Sequence, residues 1–257
     1  MEPAVALRAL LWDVDGTLAE TEFQGHRQAY NAAFRSAGLP WRWDASTYRQ
    51  LLAVSGGRER LRHFFDQVGQ APVGDGQVES LMAAKQRAYA DLARRGVLPL
   101  RPGVQRLVAE AAARGWSQAL VTTSSRSAVA ALLASQGAAL TSAFAFWVCG
   151  EDVKAKKPSP EGYLQALNRL DLSPSRVLAL EDSPQGLASA MAAGLPCLLT
   201  LGESPAPVGG EEEWWRRAAA AVDHLGEADQ PTRILQGPPC HPAMVTLPWL
   251  ERLLEAG

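Results

Sequence analysis

Four short segments of this chain carry residue types that together could handle a phosphoryl group. Asp13-Val14-Asp15-Gly16-Thr17 sets two carboxylates two residues apart before a glycine turn, and Thr122-Thr123-Ser124 supplies three hydroxyls. Lys156-Lys157-Pro158 supplies ammonium groups, and Glu181-Asp182 adds two more acids. Carboxylate oxygens are hard ligands suited to Mg2+, hydroxyls and an ammonium hold phosphate oxygens, and an unpaired carboxylate can attack phosphorus. Each segment alone also has a plain structural reading: a turn, an exposed loop or a helix cap. Phosphoryl chemistry therefore requires a fold that gathers all four.

The elements around them make that gathering plausible on physical grounds. Leu7 to Trp12 is a short unbroken apolar run ending at Asp13, the pattern of a strand buried on both faces. From about residue 97 strand and helix patterns alternate. Pro102 fits a first helical turn, with the helix running to Gly115; strand Ala119-Leu120-Val121 follows, then a helix over about 125–135. Strand Phe144 to Val148, a helix opened by Ser159-Pro160, strand Val177 to Leu180, a helix to Gly194 and strand Cys197 to Leu199 complete the series. Such repeats predict an α/β fold, a Rossmann-like parallel sheet flanked by helices. Residues 1–20 and 97–257 form this core. Residues 21–96 are an all-helical insertion, with Ala29, Tyr30, Ala33 and Phe34 on one face, Asp44 as a cap, and a last helix over 78–95. Ligands of open parallel sheets bind beyond the strands' carboxyl ends, where all four segments fall.

Those four motifs, in that order, resemble the haloacid dehalogenase superfamily: Asp13 to Leu18 its first motif, Thr122 its second, Lys157 in Lys156-Lys157-Pro158-Ser159-Pro160 its third, and Glu181-Asp182 its fourth. The resemblance implies that Asp13 is a nucleophile forming an aspartyl-phosphate. It implies that Asp15 is the general acid and then the base, and that Thr122 and Lys157 hold the transferring group. It further implies Mg2+ bound by Asp13, the Asp15 main-chain carbonyl and Asp182, with Glu181 nearby. An intact Asp15 favours a phosphatase or phosphomutase over a dehalogenase, which has no leaving alcohol to protonate.

The helical insertion resembles the C1 cap of that superfamily, which closes over the site and selects substrate. Polar residues expected to reach inward include Glu20, Glu22, His26, the segment Ser55-Gly56-Gly57-Arg58-Glu59-Arg60, and Lys85. Two glycines before a helix carrying Arg58 and Arg60 suit a second anion cradle, hence a substrate with a phosphate at each end. Ala19-Glu20-Thr21-Glu22, His26-Arg27-Gln28-Ala29, Trp43-Asp44, the Gly-Gly-basic-Glu-Arg segment and Leu98 to Val104 are similar to CbbY-type xylulose-1,5-bisphosphate phosphatases, notably plant and cyanobacterial members. That similarity implies sugar-bisphosphate contacts from Glu22, His26, Ser55, Gly56, Gly57, Arg58, Glu59 and Lys85, with Thr123 and Ser124 beside them. Two positions depart from the branch: Arg58 replaces Lys, and Met82 replaces a His three residues before Lys85. A β-phosphoglucomutase-like enzyme and a generic phosphatase acting on 2-phosphoglycolate are the alternatives.

Composition narrows the partners. The 257 residues are 47% hydrophobic and 20% charged, which excludes disorder and supports a sizeable core. A formal net charge of -2 offers no global field for nucleic acid or an anionic membrane. Met1-Glu2-Pro3 lacks the positive start of a signal peptide, and Ala128 to Cys149 reads as a buried helix and strand rather than a span. Cys149, Cys197 and Cys240, an odd number at no metal spacing, suit a reducing compartment. The expectation is a cytoplasmic monomer acting on a small sugar phosphate. His63 reads as packing; Glu203 to Gly210 as a loop; and Glu211 to Arg217 as an amphipathic surface helix whose Trp214 and Trp215 could mark an interface.

Overall fold

The computed structural model describes residues 7–69, 74–201 and 214–255; the expectations for Met1-Glu2-Pro3, Glu203–Gly210 and Glu211–Glu213 lie outside them. Seven strands form one sheet in the order β3-β2-β1-β4-β5-β6-β7. These are β1 Ala9–Trp12, β2 Ser117–Val121, β3 Phe146–Val148, β4 Val177–Glu181, β5 Cys197–Thr200, β6 Ala220–Val222 and β7 Ile234–Gln236. All neighbours pair in parallel except β6 and β7, which are antiparallel. β1 lies inside the sheet, third in that order, and the chain winds outward to β2 and β3 before returning to β4 on the other side of β1. That reversal makes the carboxyl end of β1 the sheet's natural ligand crevice.

Helices cover both faces: α5 Val104–Ala113, α6 Arg126–Gln136, α7 Ala138–Ser142, α8 Glu161–Leu170, α9 Pro184–Ala192 and α10 Leu247–Glu255. Two apolar clusters result, one on each face. Leu10, Trp12, Leu107, Leu120, Leu132 and Trp249 belong to one; Leu11, Val121, Tyr163, Ala179, Leu187 and Leu199 belong to the other. Alternation along β1 sends Leu10 and Leu11 to opposite sides, which is why that strand is apolar throughout.

Between β1 and β2, before α5, the chain is helical. A π-helical turn, Glu22–Arg27, precedes α1 Gln28–Ser36, α2 Ala45–Leu51, α3 Gly57–Gln67 and α4 Asp75–Arg94. Asp44 caps α2 as its sequence suggests, its Oδ1 accepting from Thr47 N at 2.7 Å. Tyr30, Phe34, Trp43, Tyr48, Leu61 and Phe64 give this part a core of its own. The two connections run side by side, with Ala19 and Leu100 bridging antiparallel.

Several elements differ from expectation. Pro102 lies outside α5 because Gly103 adopts φ +85, and a Cβ there would stand 2.6 Å from Gly226 O. β6 and β7 extend the sheet past Cys197 to Leu199, the last strand expected from the sequence. The strand expected from Phe144 begins at Phe146, after the short α7. His63 is exposed and bonds Gln67 rather than packing, since α3 turns Leu61, Phe64 and Phe65 inward. Of the expected surface helix only a 3-10 turn, Trp214–Arg217, falls in the described residues, and both tryptophans are half-buried against the sheet's own apolar cluster. Among the described residues no helix is long and apolar enough to cross a membrane.

Candidate active site

The end of β1 delivers Asp13, whose amide bonds Leu180 O at 3.0 Å across to β4. Lys157 Nζ sits 2.6 Å from Asp13 Oδ1, 2.6 Å from Glu181 Oε1 and 2.7 Å from Val121 O. It thereby ties the ends of β1, β2 and β4 together. Tyr163 OH donates to Glu181 Oε1 at 2.7 Å, a partner the sequence did not single out. Burial works against the Lys157 charge, but Asp13 and Glu181 hold its ammonium well above the usual lysine range. Burial drives the Asp13 carboxyl up to about 8, with Lys157 pulling it down and Glu181 and Asp15 pushing it up.

Asp13, Glu181 and Asp182 each offer an oxygen, all within 4.8 Å of one another. Burial, then Asp13 and Glu181, raise Asp182 well above a normal carboxylate. With all three ionised and one lysine in direct contact, the cluster has an excess of negative charge in a buried place. A hard divalent cation fits that donor set.

Asp15 belongs to a second network. Its Oδ1 accepts from Thr21 Oγ1 at 2.5 Å and pairs with His26 Nε2 at 2.8 Å, while Ser124 Oγ donates to Oδ2. Burial raises the Asp15 pKa, but His26 and the bonds from His26, Ser124 and Thr21 together hold it well below the usual carboxylate range. Behind His26 stands Lys85, its Nζ 2.9 Å from Nδ1. A protonated Lys85 makes Nδ1 an acceptor and leaves Nε2–H to donate to Asp15. Lys85 is buried, with its Nζ 5.2 Å from the Tyr30 ring centroid and 5.4 Å from that of Tyr89, and burial lowers its pKa to about 8. The π-helical turn aims His26 inward, where its ring stacks on Tyr89 at 4.5 Å.

A cavity of about 150 Å3 opens above these groups. Of the sequence candidates, Asp15, Glu22, His26, Gly56, Gly57, Arg58, Arg60, Lys85, Thr123 and Ser124 line it, and Thr122 lies buried at the end of β2. Ser55 and Glu59 do not line it: Ser55 is half-buried beside it, and Glu59 turns to Lys156 at 2.6 Å. Glu22 accepts from Tyr48 OH at 2.5 Å. Arg60 reaches the cavity from a fixed position. It is buried, bonding Leu51 O at 3.1 Å, Val54 O at 3.3 Å and Tyr48 OH at 2.8 Å, so it fixes the turn into α3. Arg58 is exposed and pairs with Glu79 at 2.8 Å. Lys156, Gln86 and Ser125 also line the cavity; the doubled lysine before Pro158 was the one sequence signal for the first of these.

Residues 7–194 match the family model of haloacid dehalogenase-like hydrolases. Protein CbbY of Cupriavidus necator is 42% identical over 231 residues, 88% of either chain. A CBBY-like protein of Arabidopsis thaliana is 36% identical, over 85% of this chain and 69% of that protein. The crystal structure of a CbbY mutant from Rhodobacter sphaeroides, in complex with xylulose-(1,5)bisphosphate, superposes with a TM-score of 0.74 at 36% identity, covering 87% of this chain and 98% of that one. With its sheet, its four motifs and these likenesses, the chain belongs to the haloacid dehalogenase-like hydrolase family, as an enzyme among its CbbY members.

Proposed function

We propose that the protein is a Mg2+-dependent sugar-phosphate phosphatase that converts xylulose-1,5-bisphosphate to xylulose 5-phosphate and phosphate. The reading rests above all on one juxtaposition: the Asp13–Lys157–Glu181 cluster faces the Asp15–His26–Lys85 chain. In this reading residues 21–96 are a cap over a core of residues 1–20 and 97–257. The cavity, about 150 Å3, is below the roughly 300–1,000 Å3 of ordinary ligand pockets, and this reading has the cap shift to admit a bisphosphate. In this reading the enzyme works in the cytoplasm.

Asp13 attacks phosphorus as the bond to the leaving sugar oxygen breaks, and Asp15 gives that oxygen a proton. Lys157 and Thr122 offset charge on the transferring group. Water then attacks the phosphorus of the aspartyl-phosphate, Asp15 takes its proton, and Asp13 is regenerated. The donors around Asp15 favour its ionised form, which is the base of this second half. Lys85, near pKa 8 and linked through His26, is the nearest store for the proton used in the first. Asp13, Asp182 and the Asp15 main-chain carbonyl, with Glu181 beside them, are the residues that would hold Mg2+. When bound, that ion supplies a dication against the phosphoryl oxygens. Arg58, Gly56 and Gly57 would face the phosphate that is not transferred.

The test is phosphate release with Mg2+ from xylulose-1,5-bisphosphate, beside ribulose-1,5-bisphosphate, glucose 1-phosphate and 2-phosphoglycolate, with Asp13→Asn as blank. Strong preference for the xylulose compound supports the assignment. Conversion of glucose 1-phosphate to glucose 6-phosphate without phosphate release overturns it in favour of a mutase.

A further inference from the structure

Arg101 lies outside both networks, in the return connection from the helical insertion, and is only 4% exposed. All three of its guanidinium nitrogens are engaged. Nη1 donates to Thr200 O at 2.6 Å, to Thr200 Oγ1 at 3.0 Å and to Gly16 O; Nη2 donates to Asp223 O at 2.5 Å; and Nε faces Glu20 Oε1 at 3.0 Å. Its own amide bonds Leu18 O at 2.9 Å. One buried cation thus pins the turn after Asp15, the carboxyl ends of β5 and β6, and both connections to the helical insertion.

The Gly16 contact matters for chemistry. Gly16 sits at φ +84, and a Cβ there would lie 2.0 Å from Asp182 Oδ2, so this turn rests directly on an acid of the Asp13–Glu181–Asp182 cluster. Holding the Gly16 carbonyl fixes the Gly16–Thr17 peptide. Through the adjacent left-handed glycine it also restrains the Asp15–Gly16 peptide, whose carbonyl points from the same turn. A planar fork of five donors suits four neutral oxygens spread over three segments; a lysine offers three donors from one point.

We infer that Arg101 is a positioning residue for the metal site, holding the Asp15–Gly16 turn against Asp182. The inference rests on the reading of Asp13, Asp15 and Asp182 as the cation's ligands. The test is direct Mn2+ binding by the full-length protein, read by electron paramagnetic resonance, in Arg101→Lys and Arg101→Met. Partners bonded directly to metal ligands change affinity by about 10–100-fold; Arg101 acts one peptide further out, through Gly16 O, so a several-fold weaker Kd is expected, read most cleanly in Arg101→Lys, which keeps the positive charge. With Mg2+ and substrate, kcat should fall while KM stays near wild type. Arg106→Met, which removes a comparable arginine from Leu225 O and Gly226 O away from the site, should lower thermal stability and leave Mn2+ binding unchanged. Arg101→Lys that folds, melts earlier and binds Mn2+ with wild-type affinity would reduce Arg101 to a structural tie and overturn the inference. Should Arg101→Met fail to fold, the lysine variant carries the test. Wild-type Mn2+ affinity in Asp182→Asn would overturn the metal reading itself, separately from Arg101.

Discussion

Gly186, near the start of α9, has an ordinary helical backbone, so on local grounds Gly186→Ala should stabilise by about 0.8–1 kcal/mol. Its surroundings reverse the sign. An added Cβ would lie 1.8 Å from Glu181 Oε2 and 2.4 Å from Oε1. Glu181 is fully buried and held by Lys157 at 2.6 Å and Tyr163 at 2.7 Å, so its carboxylate cannot swing to water. Breaking a buried pair costs about 3–5 kcal/mol, and the helical gain offsets only part of that. The net loss should be roughly 2–4 kcal/mol, which for a chain of this size lowers Tm by roughly 5–15 °C. Scanning calorimetry measures it, and activity should fall with the displaced carboxylate. In a Glu181→Ala background the steric cause is gone. Gly186→Ala should then be neutral or stabilising, giving a coupling of at least about 2 kcal/mol in the double-mutant cycle. A wild-type or higher Tm for the single variant refutes the reasoning.

Other consequences are as sharp. Lys85 titrates near 8 when folded and at its higher ordinary value when unfolded, so the unfolded chain binds more protons between those values and stability contributed at Lys85 rises with pH there. The stability of Lys85→Met relative to wild type should therefore decline as pH rises from 8 to 10; chemical denaturation at several pH values reads this, and a constant difference contradicts it. Arg58→Ala breaks an exposed pair with Glu79 and should cost at most about 1 kcal/mol, yet raise KM for a bisphosphate several-fold more than for a monophosphate. Equal KM changes for both would remove Arg58 from the distal phosphate. His26→Leu deletes a charge-assisted donor to Asp15, a bond of about 1.5–3 kcal/mol, so with hydrolysis of the aspartyl-phosphate limiting turnover and Asp15 as its base, the acid limb of the kcat profile should move up by about 1–2 pH units. An unmoved limb would show that His26 does not set the Asp15 proton.

Much of the frame was legible because its signals are strong and local. An apolar run closed by Asp13 needs a doubly covered strand, and the alternation after residue 97 has few parallel solutions. The positions of Asp13, Asp15 and Asp182 follow from strand ends, whereas Lys157, nine residues beyond β3, rests on the family resemblance of its motif. What escaped had short or non-local signals. β6 is Ala220–Val222, and two alanines and a valine do not announce a strand without β5 beside them. Arg60 lines the cavity as its place beside Arg58 suggests, but sequence does not reveal that Leu51 and Val54 carbonyls hold its Nε. Arg101 was legible only as part of a family-like run, because most of its partners are backbone oxygens 85 to 122 residues away. Glu181 sits closer to the chemistry than its place beside Asp182 implied, through contacts with Lys157 and Tyr163 that only the packed sheet creates.

The central claim is that Asp13 itself carries the phosphoryl group. Acid-quenching the enzyme during turnover of xylulose-1,5-bisphosphate, followed by peptide mass spectrometry, tests it most directly. A phosphoryl adduct on the peptide containing Asp13, absent in Asp13→Asn, is the expected result. Full turnover with no adduct on that peptide at any quench time, or phosphate release surviving in Asp13→Asn, would contradict it.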